Sequence, residues 1–304
     1  MSVVIVSWNV RDLLAQALSS LYRHAEHLDP LEVIVVDNAS QDGSAEMVAR
    51  KFPRVRLIAN RDNRGFTGGN NQGLTAAAGD YVLLLNSDAE VRPKALQALV
   101  SYLDEHPDTG LVGPRLVNAD GSTQSSRRRF PTLPILFLES TWLQWLAPQN
   151  ALKRYYAEDV PETHEQDVDW VTGAAMLVRR EAIDQVGPLD EGFFMYSEEL
   201  DWCRRFREAG WRIAYTPESE IIHYGGKSSE QVTASRHIYF QSSKVRYARK
   251  YHGVLTAEVL RLWLLAQYLT QIVLEGAKWI IGHRRELRAS RVKAYLRVMR
   301  SRLR

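Results

Sequence analysis

Residues 80–90 constrain the fold of this 304-residue chain more than any other stretch, because a short apolar run stands there between two polar turns. The apolar run is Tyr81–Leu85, and Asn86-Ser87-Asp88 follows it directly. Such a run is too short for a buried helix and is typical of a strand buried on both faces of a parallel sheet. Its polar end would lie at the sheet edge where ligands bind in open α/β folds. Asp88 is therefore a candidate ligand for a divalent cation, and the alternative is that it caps the next helix.

The first 100 residues alternate between strand and helix patterns. Apolar runs predict strands at 3–7, 31–36 and 55–59, and helical spacing of apolar residues predicts helices at 11–27, 42–51 and 93–105. This alternation predicts an α/β fold with a mostly parallel central sheet and helices on both faces.

The middle of the chain predicts a less regular arrangement. An Asp120-Gly121 pair predicts a hairpin, and a strand over 169–178 has a break at Gly173. Residues 130–167 are irregular and could form a lid, and two short strands are expected at 211–215 and 219–223. We expect one domain over 1–230 and a C-terminal helical region over 231–304.

Charge is distributed unevenly along the chain. The net charge is +3, but residues 283–304 carry nine Arg or Lys and one Glu, which makes this tail +8 and the remainder −5. As a helix, the tail would be basic and amphipathic, with Val292, Leu296, Met299 and Leu303 on one face and Arg288, Arg291 and Arg300 elsewhere. Such a helix predicts contact with an anionic surface, either phospholipid or nucleic acid. The uncharged run Leu262–Leu274 is too short to span a bilayer, so we expect a helix at the membrane interface or one packed on a partner, such as a second copy of the chain. The N-terminus shows no signal-peptide pattern, and the single cysteine, Cys203, excludes an internal disulfide.

Two acidic residues, Asp37 and Asp88, follow predicted strands at the same sheet edge, and Ser7-Trp8-Asn9 follows the first strand. Together they predict a ligand cleft. The glycine-rich run at 65–73 matches neither the dinucleotide-binding pattern nor the P-loop, so we expect a loop before a helix, with a tight turn capped by Thr67 as the alternative.

A second polar cluster opens a predicted helix after an aromatic run at 193–196. It consists of Glu198, Glu199 and Asp201. Acidic residues stabilise helix N-termini, but crowded carboxylates beside apolar rings also have raised pKa values that suit a general base. His223 ends a later strand, and it is either structural or a partner of Asp88 in a cation site.

In this order the motifs resemble family 2 inverting glycosyltransferases of the GT-A fold, and in particular bacterial rhamnosyltransferase-like members. The residues that carry the resemblance lie between positions 3 and 228: they are 6–9, 35–40, 63–66 with 69–71, 85–88, 170–174, 194–201 and His223. The chain departs from the family pattern at Asn86, where the D-x-D motif has its first Asp, and at Glu199, where Asp is usual.

The resemblance implies a role for each matching residue. The donor nucleotide would be bound by Ser7, Trp8, Asn9, Asp37, Asn38, Gly65, Phe66, Gly69, Asn70, Asn86, Ser87 and Asp88. Asp88 and His223 would hold Mn²⁺ or Mg²⁺, and Trp170, Thr172 and Gly173 would border the acceptor. Glu199 would be the catalytic base, with Glu198 or Asp201 as the alternatives.

The expected reaction moves a sugar, first rhamnose from dTDP-rhamnose and next a UDP-linked sugar, to a glycan or lipid-linked acceptor in cell-envelope polysaccharide synthesis. We expect a cytoplasmic enzyme at the inner face of the plasma membrane, with no nucleic-acid partner. A sugar-phosphate nucleotidyltransferase would carry a basic glycine-rich loop after its first strand, where this chain has Trp8-Asn9-Val10-Arg11. The remaining alternative is an inactive relative that binds sugar or membrane.

Overall fold

The computed structural model describes residues 1–25, 28, 30–225 and 233–304. The chain divides into two compact units, the first comprising Met1–Phe130, Lys153–Phe194 and Glu198–Ser228, and the second Pro131–Leu152, Met195–Ser197 and Ser229–Arg304. The predicted domain boundary near 230 and the predicted end of the first helix at His27 lie outside the described residues.

The first unit is built on a mixed sheet. The strands of this unit are β1 Ser2–Ser7, β2 Glu32–Asp37, β3 Arg56–Ala59, β4 Tyr81–Asn86, β5 Ala89–Val91, β6 Thr109–Val117, β7 Thr123–Gln124, β8 Arg127–Arg128, β9 Gln166–Asp167, β10 Trp170–Val171, β11 Ala175–Arg179 and β12 Arg212–His223. The order in the sheet is β3-β2-β1-β4-β11-β6-β12-β5, with β7 also paired to β6 and β9 to β12, whereas β8 and β10 form a separate two-stranded sheet. The first four strands pair in parallel, whereas β11 is antiparallel to both of its neighbours.

The helices of the described residues follow the predicted alternation and then continue to the C-terminus. They are α1 Arg11–His24, α2 Ser44–Lys51, α3 Gly65–Ala76, α4 Ala95–Glu105, α5 Leu133–Leu138, α6 Gln149–Tyr155, α7 Arg180–Val186, α8 Glu198–Glu208, α9 Thr233–Ile280 and α10 Arg285–Ser301, with a 3₁₀ turn at Gln144–Leu146. The segment 130–167, predicted to be irregular, thus contains short helices.

The central strand β4 confirms the prediction made from the apolar run at 81–85. Val82–Leu85 are buried, because β4 lies between β1 and β11 and both faces of the sheet are covered. Val6 lies opposite Asn86 and Ser7 opposite Asp37, so the polar ends of three strands meet at one edge. The hairpin at Asp120-Gly121 and the break near Gly173 are also confirmed.

The prediction that the glycine-rich run forms a loop is wrong. Gly65–Ala76 is a helix, Arg64 precedes its first turn, and Thr67 lies buried inside it instead of capping it. A Cβ on Gly69 would lie 2.8 Å from a methyl carbon of Val6, so α3 packs its backbone directly on β1. The glycines therefore serve helix-to-strand packing.

Two further expectations differ from the structure. Asp88 does not cap a helix, because it lies in the turn between β4 and β5 and α4 begins only after Lys94. The two strands predicted at 211–215 and 219–223 are one strand, β12, which begins at Arg212 and whose pairing with β6 shifts register between Thr216 and Glu220. The sequence had indicated two strands because this irregularity interrupts the apolar pattern.

The second unit is helical. Helix α9 is broken at Gly253, where φ is 86°, and its later half packs with α10 around Ala257, Leu260, Leu264 and Val298. Arg288, expected on the polar face of the tail helix, is buried and donates to Glu275 Oε2 at 2.7 Å, whereas Leu296, expected on the apolar face, is exposed. Within the described residues, no helix combines the length and the hydropathy that a bilayer span requires.

Candidate active site

The carboxyl ends of β1 and β2 carry buried polar atoms that lack partners. Asp37 is buried, and its Oδ2 accepts a hydrogen bond from the Ser40 backbone N–H at 3.0 Å. Its Oδ1 and the Ser7 hydroxyl are buried without a hydrogen-bond partner among the described residues. Asn9 fixes the loop beyond them, since its N–H donates to Ser40 Oγ and its Oδ1 accepts from Gln41. Buried polar atoms without partners indicate a place for a ligand that donates hydrogen bonds.

Asn38 joins this edge to the start of α3. Its Nδ2 donates to the Gly65 carbonyl at 2.8 Å, and its Oδ1 accepts from Asn60 Nδ2 at 2.9 Å. Asn70 is buried within α3 and donates to the Phe66 carbonyl at 2.9 Å. Side-chain hydrogen bonds thus join the residues after β2 and in α3 that are predicted to bind the donor nucleotide.

The start of α3 lies against the segment that leads to α8. The N–H of Phe66 donates to the Phe194 carbonyl at 3.0 Å, and an added Cβ on Gly65 would lie 2.7 Å from the Phe194 ring. Asn71 binds the same segment further upstream, because its side chain both donates to and accepts from the backbone of Leu189. Gly65 therefore allows a close approach that a larger residue would block.

The second polar edge surrounds His223. Its Nε2 lies 3.3 Å from Asp88 Oδ1 and 3.2 Å from Asn86 Nδ2, and its Nδ1 lies 2.9 Å from Gln124 Oε1. Both Asp88 and His223 are largely buried, and Ser87 between the two strands is buried as well. The structure thus brings together Asp88 and His223, which are 135 residues apart in the sequence.

Gln124 fixes the tautomer of His223. Its Nε2 donates to Asn118 Oδ1 at 2.7 Å and to the His223 carbonyl at 2.6 Å, so its Oε1 faces the imidazole. An amide oxygen accepts only, and therefore His223 Nδ1 carries the proton. In the neutral ring, the lone pair of Nε2 then points toward Asp88 and Asn86, which is the arrangement of a metal-ligating histidine held by a hydrogen bond on its other nitrogen.

The donor set at this edge fits a divalent cation with open coordination positions. It offers the Asp88 carboxylate, the His223 Nε2 lone pair, and the Asn86 Oδ1 atom, which is buried without a hydrogen-bond partner among the described residues. Oxygen and imidazole ligands suit Mn²⁺ and, with more oxygen from a ligand, Mg²⁺. No group of three or more His, Cys, Asp or Glu side chains is close enough to hold a metal within the described ranges. Oxygen atoms of a bound ligand would therefore have to complete the coordination.

The two glutamates that open α8 form an interacting carboxyl pair. Burial raises the pKa of Glu198 well above its usual range, and the charge of Glu199 raises it further. Burial also raises the pKa of Glu199, while backbone N–H groups and a hydrogen bond from Glu198 oppose this rise. Glu198 consequently keeps its proton to higher pH, and Glu199 carries the negative charge. Such an anion, with a raised pKa, is suited to accept a proton.

Gly173 and Ala174 connect the two polar edges. The N–H of Gly173 faces the Glu199 carboxylate and opposes the rise of its pKa, and the carbonyl of Ala174 accepts from the Asn86 N–H at 2.9 Å. A Cβ on Gly173 would lie 3.8 Å from Glu199 Cβ and 3.7 Å from the Phe66 ring. Two adjacent residues therefore lie between Asn86 and Glu199, which places the cation edge, the start of α3 and the carboxyl pair in one region.

Three of the predicted site residues have structural partners. Asp201 is fully buried and accepts from Arg205 Nε at 2.9 Å, so its carboxylate is already paired. The Trp170 indole donates to the Arg129 carbonyl at 3.0 Å. The N–H of Thr172 donates to the Ser126 carbonyl, although the Thr172 hydroxyl is buried without a partner in the described chain. Trp8 is half-buried.

The comparison with protein families decides the identity. The model for "Glycosyl transferase family 2" matches residues 2–187, which is more than half of the chain. The chain belongs to glycosyl transferase family 2. The matched region includes β1 to β4, Asp37, Asp88 and Gly173, and ends before α8.

Two relatives of this glycosyltransferase are named rhamnosyltransferases. It is 32% identical over 244 residues to the N-acetylglucosaminyl-diphospho-decaprenol L-rhamnosyltransferase of Mycobacterium tuberculosis, an alignment that covers 77% of this chain and 78% of that one. It is 28% identical to the rhamnosyltransferase WbbL of Escherichia coli, over 82% of this chain and 92% of the relative. The predicted membership in a rhamnosyltransferase-like branch of the family is confirmed.

Solved structures confirm the predicted GT-A fold of this glycosyltransferase. The mannosyltransferase PcManGT from Pyrobaculum calidifontis, in complex with GDP-Man and Mn²⁺, aligns with a TM-score of 0.58 and 18% identity over 99% of this chain and 86% of that one. GalNAc-T7 with UDP, GalNAc and Mn²⁺ aligns with a TM-score of 0.59 and 17% identity over 82% and 47% of the two chains.

Sequence reasoning missed two residues of the site in this glycosyltransferase. Gln124 fixes the tautomer of His223 from 99 positions away, and Ala174 joins the two polar edges only through its carbonyl. Neither residue type nor spacing distinguishes them, because the function of each arises from strand pairing.

Proposed function

We propose that this glycosyltransferase inverts the anomeric configuration as it moves a sugar from a nucleoside-diphosphate donor to a lipid-linked or glycan acceptor in cell-envelope polysaccharide synthesis. The first candidate donor is dTDP-rhamnose, and a UDP-linked sugar is the alternative. The names of the Mycobacterium tuberculosis and Escherichia coli relatives support rhamnose, and the former also supports a diphospho-lipid acceptor.

The donor base would bind at the carboxyl ends of β1 and β2. Uracil and thymine each present an imide N–H, which can donate to a carboxylate oxygen. Asp37 Oδ1 is such an oxygen, buried and without a partner among the described residues. A pyrimidine there would satisfy an acceptor whose burial otherwise costs about 1–3 kcal/mol. Asp37 therefore supports a base with a ring N–H donor, as uracil and thymine have.

The donor diphosphate would lie at the edge formed by Asn86, Asp88 and His223. Asp88 and the Nε2 atom of His223 would hold Mn²⁺ or Mg²⁺ together with diphosphate oxygens. A cation bound there offsets the negative charge that develops on the leaving diphosphate. Gln124 holds the imidazole in the ligating tautomer.

Glu199 would act as the catalytic base. Its carboxylate accepts the proton of the acceptor hydroxyl as that oxygen bonds to the anomeric carbon from the face opposite the nucleotide. The bond from the anomeric carbon to the diphosphate oxygen breaks in the same step, and the nucleoside diphosphate leaves with the electron pair. Glu198 stays protonated beside it and holds the Glu199 carboxylate by a hydrogen bond. One displacement of this kind inverts the anomeric configuration.

The connection of Asn86 to Glu199 through Ala174 and Gly173 is the observation that carries this proposal. The test measures transfer from a panel of nucleotide-sugars, beginning with dTDP-rhamnose, with Mn²⁺ or Mg²⁺ present. We expect Glu199→Gln to lower kcat at least about 100-fold, as for loss of a general base, and Asp88→Ala to weaken both transfer and cation affinity. Glu208→Gln, an exposed carboxylate of the same helix, is the matched control. Near-normal transfer by both site variants would refute the assignment.

We also propose that the second unit binds an anionic membrane surface. Exposed apolar side chains recur along one face of the later half of α9, at Leu255, Leu262, Leu269, Val273 and Ile280, and this face ends beside exposed Trp279 and Ile281. A basic stretch at 283–285 follows directly. Apolar residues with Trp and basic side chains at one end are typical of helices that lie in the membrane interface.

The membrane proposal is tested by sedimentation of the full chain with vesicles. Phosphatidylglycerol vesicles should retain the chain, phosphatidylcholine vesicles should retain less, and Leu269→Asp with Ile280→Asp should weaken retention. Both residues are exposed, so folding should persist. Unchanged retention by this variant would exclude the membrane role, and a concentration-dependent dimer lost in the variant would instead assign the face to a second copy of the chain.

A further inference from the structure

The second unit contains a cavity that the proposed chemistry does not use. It has a volume of about 600 Å³ and lies among both halves of α9, Tyr295 of α10, the segment Ser140–Trp142 and Tyr196. This volume is within the range of small-molecule sites. All of these residues belong to the second unit.

The wall of the cavity combines aromatic rings with uncharged hydrogen-bonding groups. The aromatic residues are Trp142, Tyr196, Phe240, Tyr268 and Tyr295, and the amide side chains are Gln241, Gln267 and Gln271. Leu264 is the single aliphatic residue among the lining side chains, and Arg236 at the exposed rim is the single cation. A site for a polyprenyl or acyl chain would be lined mainly by aliphatic side chains, so the wall argues against one.

Two of the lining glutamines retain unused acceptors. Gln241 Oε1 and Gln267 Oε1 are buried without a hydrogen-bond partner among the described residues. A ligand can satisfy such atoms only if it donates, as hydroxyl and N–H groups do. Phosphate oxygens and hydrocarbon chains do not donate, and they would leave both atoms unpaired. Aromatic faces beside amide acceptors therefore favour a polyhydroxylated ring, whose C–H face packs on the aromatic groups.

Tyr268 and His237 of the wall form a hydrogen-bonded pair that fixes the shape of the cavity. Tyr268 Oη lies 3.1 Å from His237 Nδ1, and the Tyr268 ring lies 5.5 Å from that of Tyr295. Burial lowers the pKa of His237, so its ring is neutral at neutral pH and does not attract an anion into the cavity. The wall is thus arranged for a neutral ligand.

Tyr196 lines the cavity and lies two positions before the first residue of α8 in the sequence. Its ring packs edge-on against Phe240 at 5.5 Å, and the Met195 carbonyl accepts from Ser243 Oγ at 2.8 Å. Tyr196 and Ser197 both have left-handed backbones, with φ of 70° and 63°, which is uncommon for residues other than glycine. Glu198 follows directly, so a ligand against Tyr196 would contact the segment that leads to the candidate base.

We propose that this cavity binds a pyranose ring of the acceptor saccharide. The inference rests on the proposed function, because it assigns the acceptor of that reaction. It gives the second unit a role in acceptor recognition, with Gln267 and Gln241 accepting ligand hydroxyls and the aromatic side chains packing on the ring.

The test uses saturation-transfer NMR on the full chain with octyl glycosides of N-acetylglucosamine, glucose, galactose and mannose, and with octanol as the probe that lacks a sugar. At least one glycoside should receive saturation on its ring protons. Gln267→Leu, which removes an acceptor at similar volume, should weaken its affinity about threefold to tenfold. Gln271→Trp, which adds bulk at a half-buried position of the wall, should weaken it further. Thr270→Ala, an exposed residue of the same helix outside the cavity, is the control.

The affinity for dTDP and UDP, measured in parallel by calorimetry, separates this inference from the proposed function. Failure of nucleotide binding in the unsubstituted chain would overturn the proposed function, while the glycoside data would still decide the cavity. Absence of glycoside binding, octanol binding as tight as that of every glycoside, or equal glycoside affinity in all variants would each overturn the cavity assignment. An unchanged circular dichroism spectrum and Tm in Gln267→Leu and Gln271→Trp show that the second unit of these variants remains folded, and retained nucleotide affinity shows the same for the first unit.

Discussion

Replacing Gly65 by alanine should destabilise the protein through two separable effects. Gly65 has a φ of +74°, and a left-handed backbone costs a residue with a Cβ about 1–2 kcal/mol. The added methyl group would also overlap the Phe194 carbonyl and lie 2.7 Å from its ring. Overpacking of this kind costs about 1–3 kcal/mol more. We therefore expect Gly65→Ala to lower the free energy of unfolding by about 2–5 kcal/mol, the sum of the two effects.

A matched control separates the close contact from the backbone effect. Gly121 has a φ of +83°, and no atom lies within 4 Å of its added Cβ, so Gly121→Ala should lose only about 1–2 kcal/mol. Urea unfolding followed by tryptophan fluorescence measures both variants, and nucleotide affinity shows whether displacement of the Phe194 segment disturbs the donor site. Equal destabilisation by the two substitutions would refute the claim that α3 and the Phe194 segment are in limiting contact.

Three further outcomes are expected. Because burial raises the pKa of Glu199, transfer should fall on acidification at a pH above the usual range of glutamate, as a pH profile of kcat will show. Because folding raises the pKa of Glu198, the contribution of this residue to stability is complete below its pKa in the unfolded state and is lost as the pH rises through its pKa in the folded state. Glu198→Gln should therefore reduce the fall in Tm between acidic and neutral pH. Gln124→Leu should weaken Mn²⁺ binding about 10–100-fold, measured by calorimetry with dTDP present, because the His223 tautomer is no longer fixed.

The central sheet was predictable because its signals are local. The run at 81–85 is too short for a buried helix, and the buried strand that it predicts has Asp88 just beyond its carboxyl end. The family motifs predicted that His223 and Glu199 belong to the same site as Asp88, although each lies more than 100 residues from it in the sequence. Asp201 shows the limit of such motifs, because it lies within the matching run but is paired with Arg205 four residues further along α8, a local ion pair that the motif does not take into account.

The errors have a common physical origin. Glycine content predicted a loop at 65–73, but Gly69 and Gly73 of α3 pack on Val6 and Val4 of β1, so tertiary contact outweighs the low helix propensity of glycine. The error at Arg288 has a similar cause, since its side chain was predicted to lie on the polar face of the tail helix but is buried against Glu275. In each case the favourable contact comes from another element, and helical periodicity contains no information about it.

The break in the strand pattern at Gly173 explains why the site can be assembled at all. A continuous strand over 169–178 would have paired throughout with a neighbour, and its N–H and carbonyl groups would have been used in the ladder. Instead, β10 ends at Val171 and β11 begins at Ala175, which frees the Gly173 N–H for the Glu199 carboxylate. The Ala174 carbonyl remains on the Asn86 N–H at the end of β4. The interruption thus lets one short segment hold the candidate base beside the cation edge, a juxtaposition that neither a regular strand nor a long loop would fix.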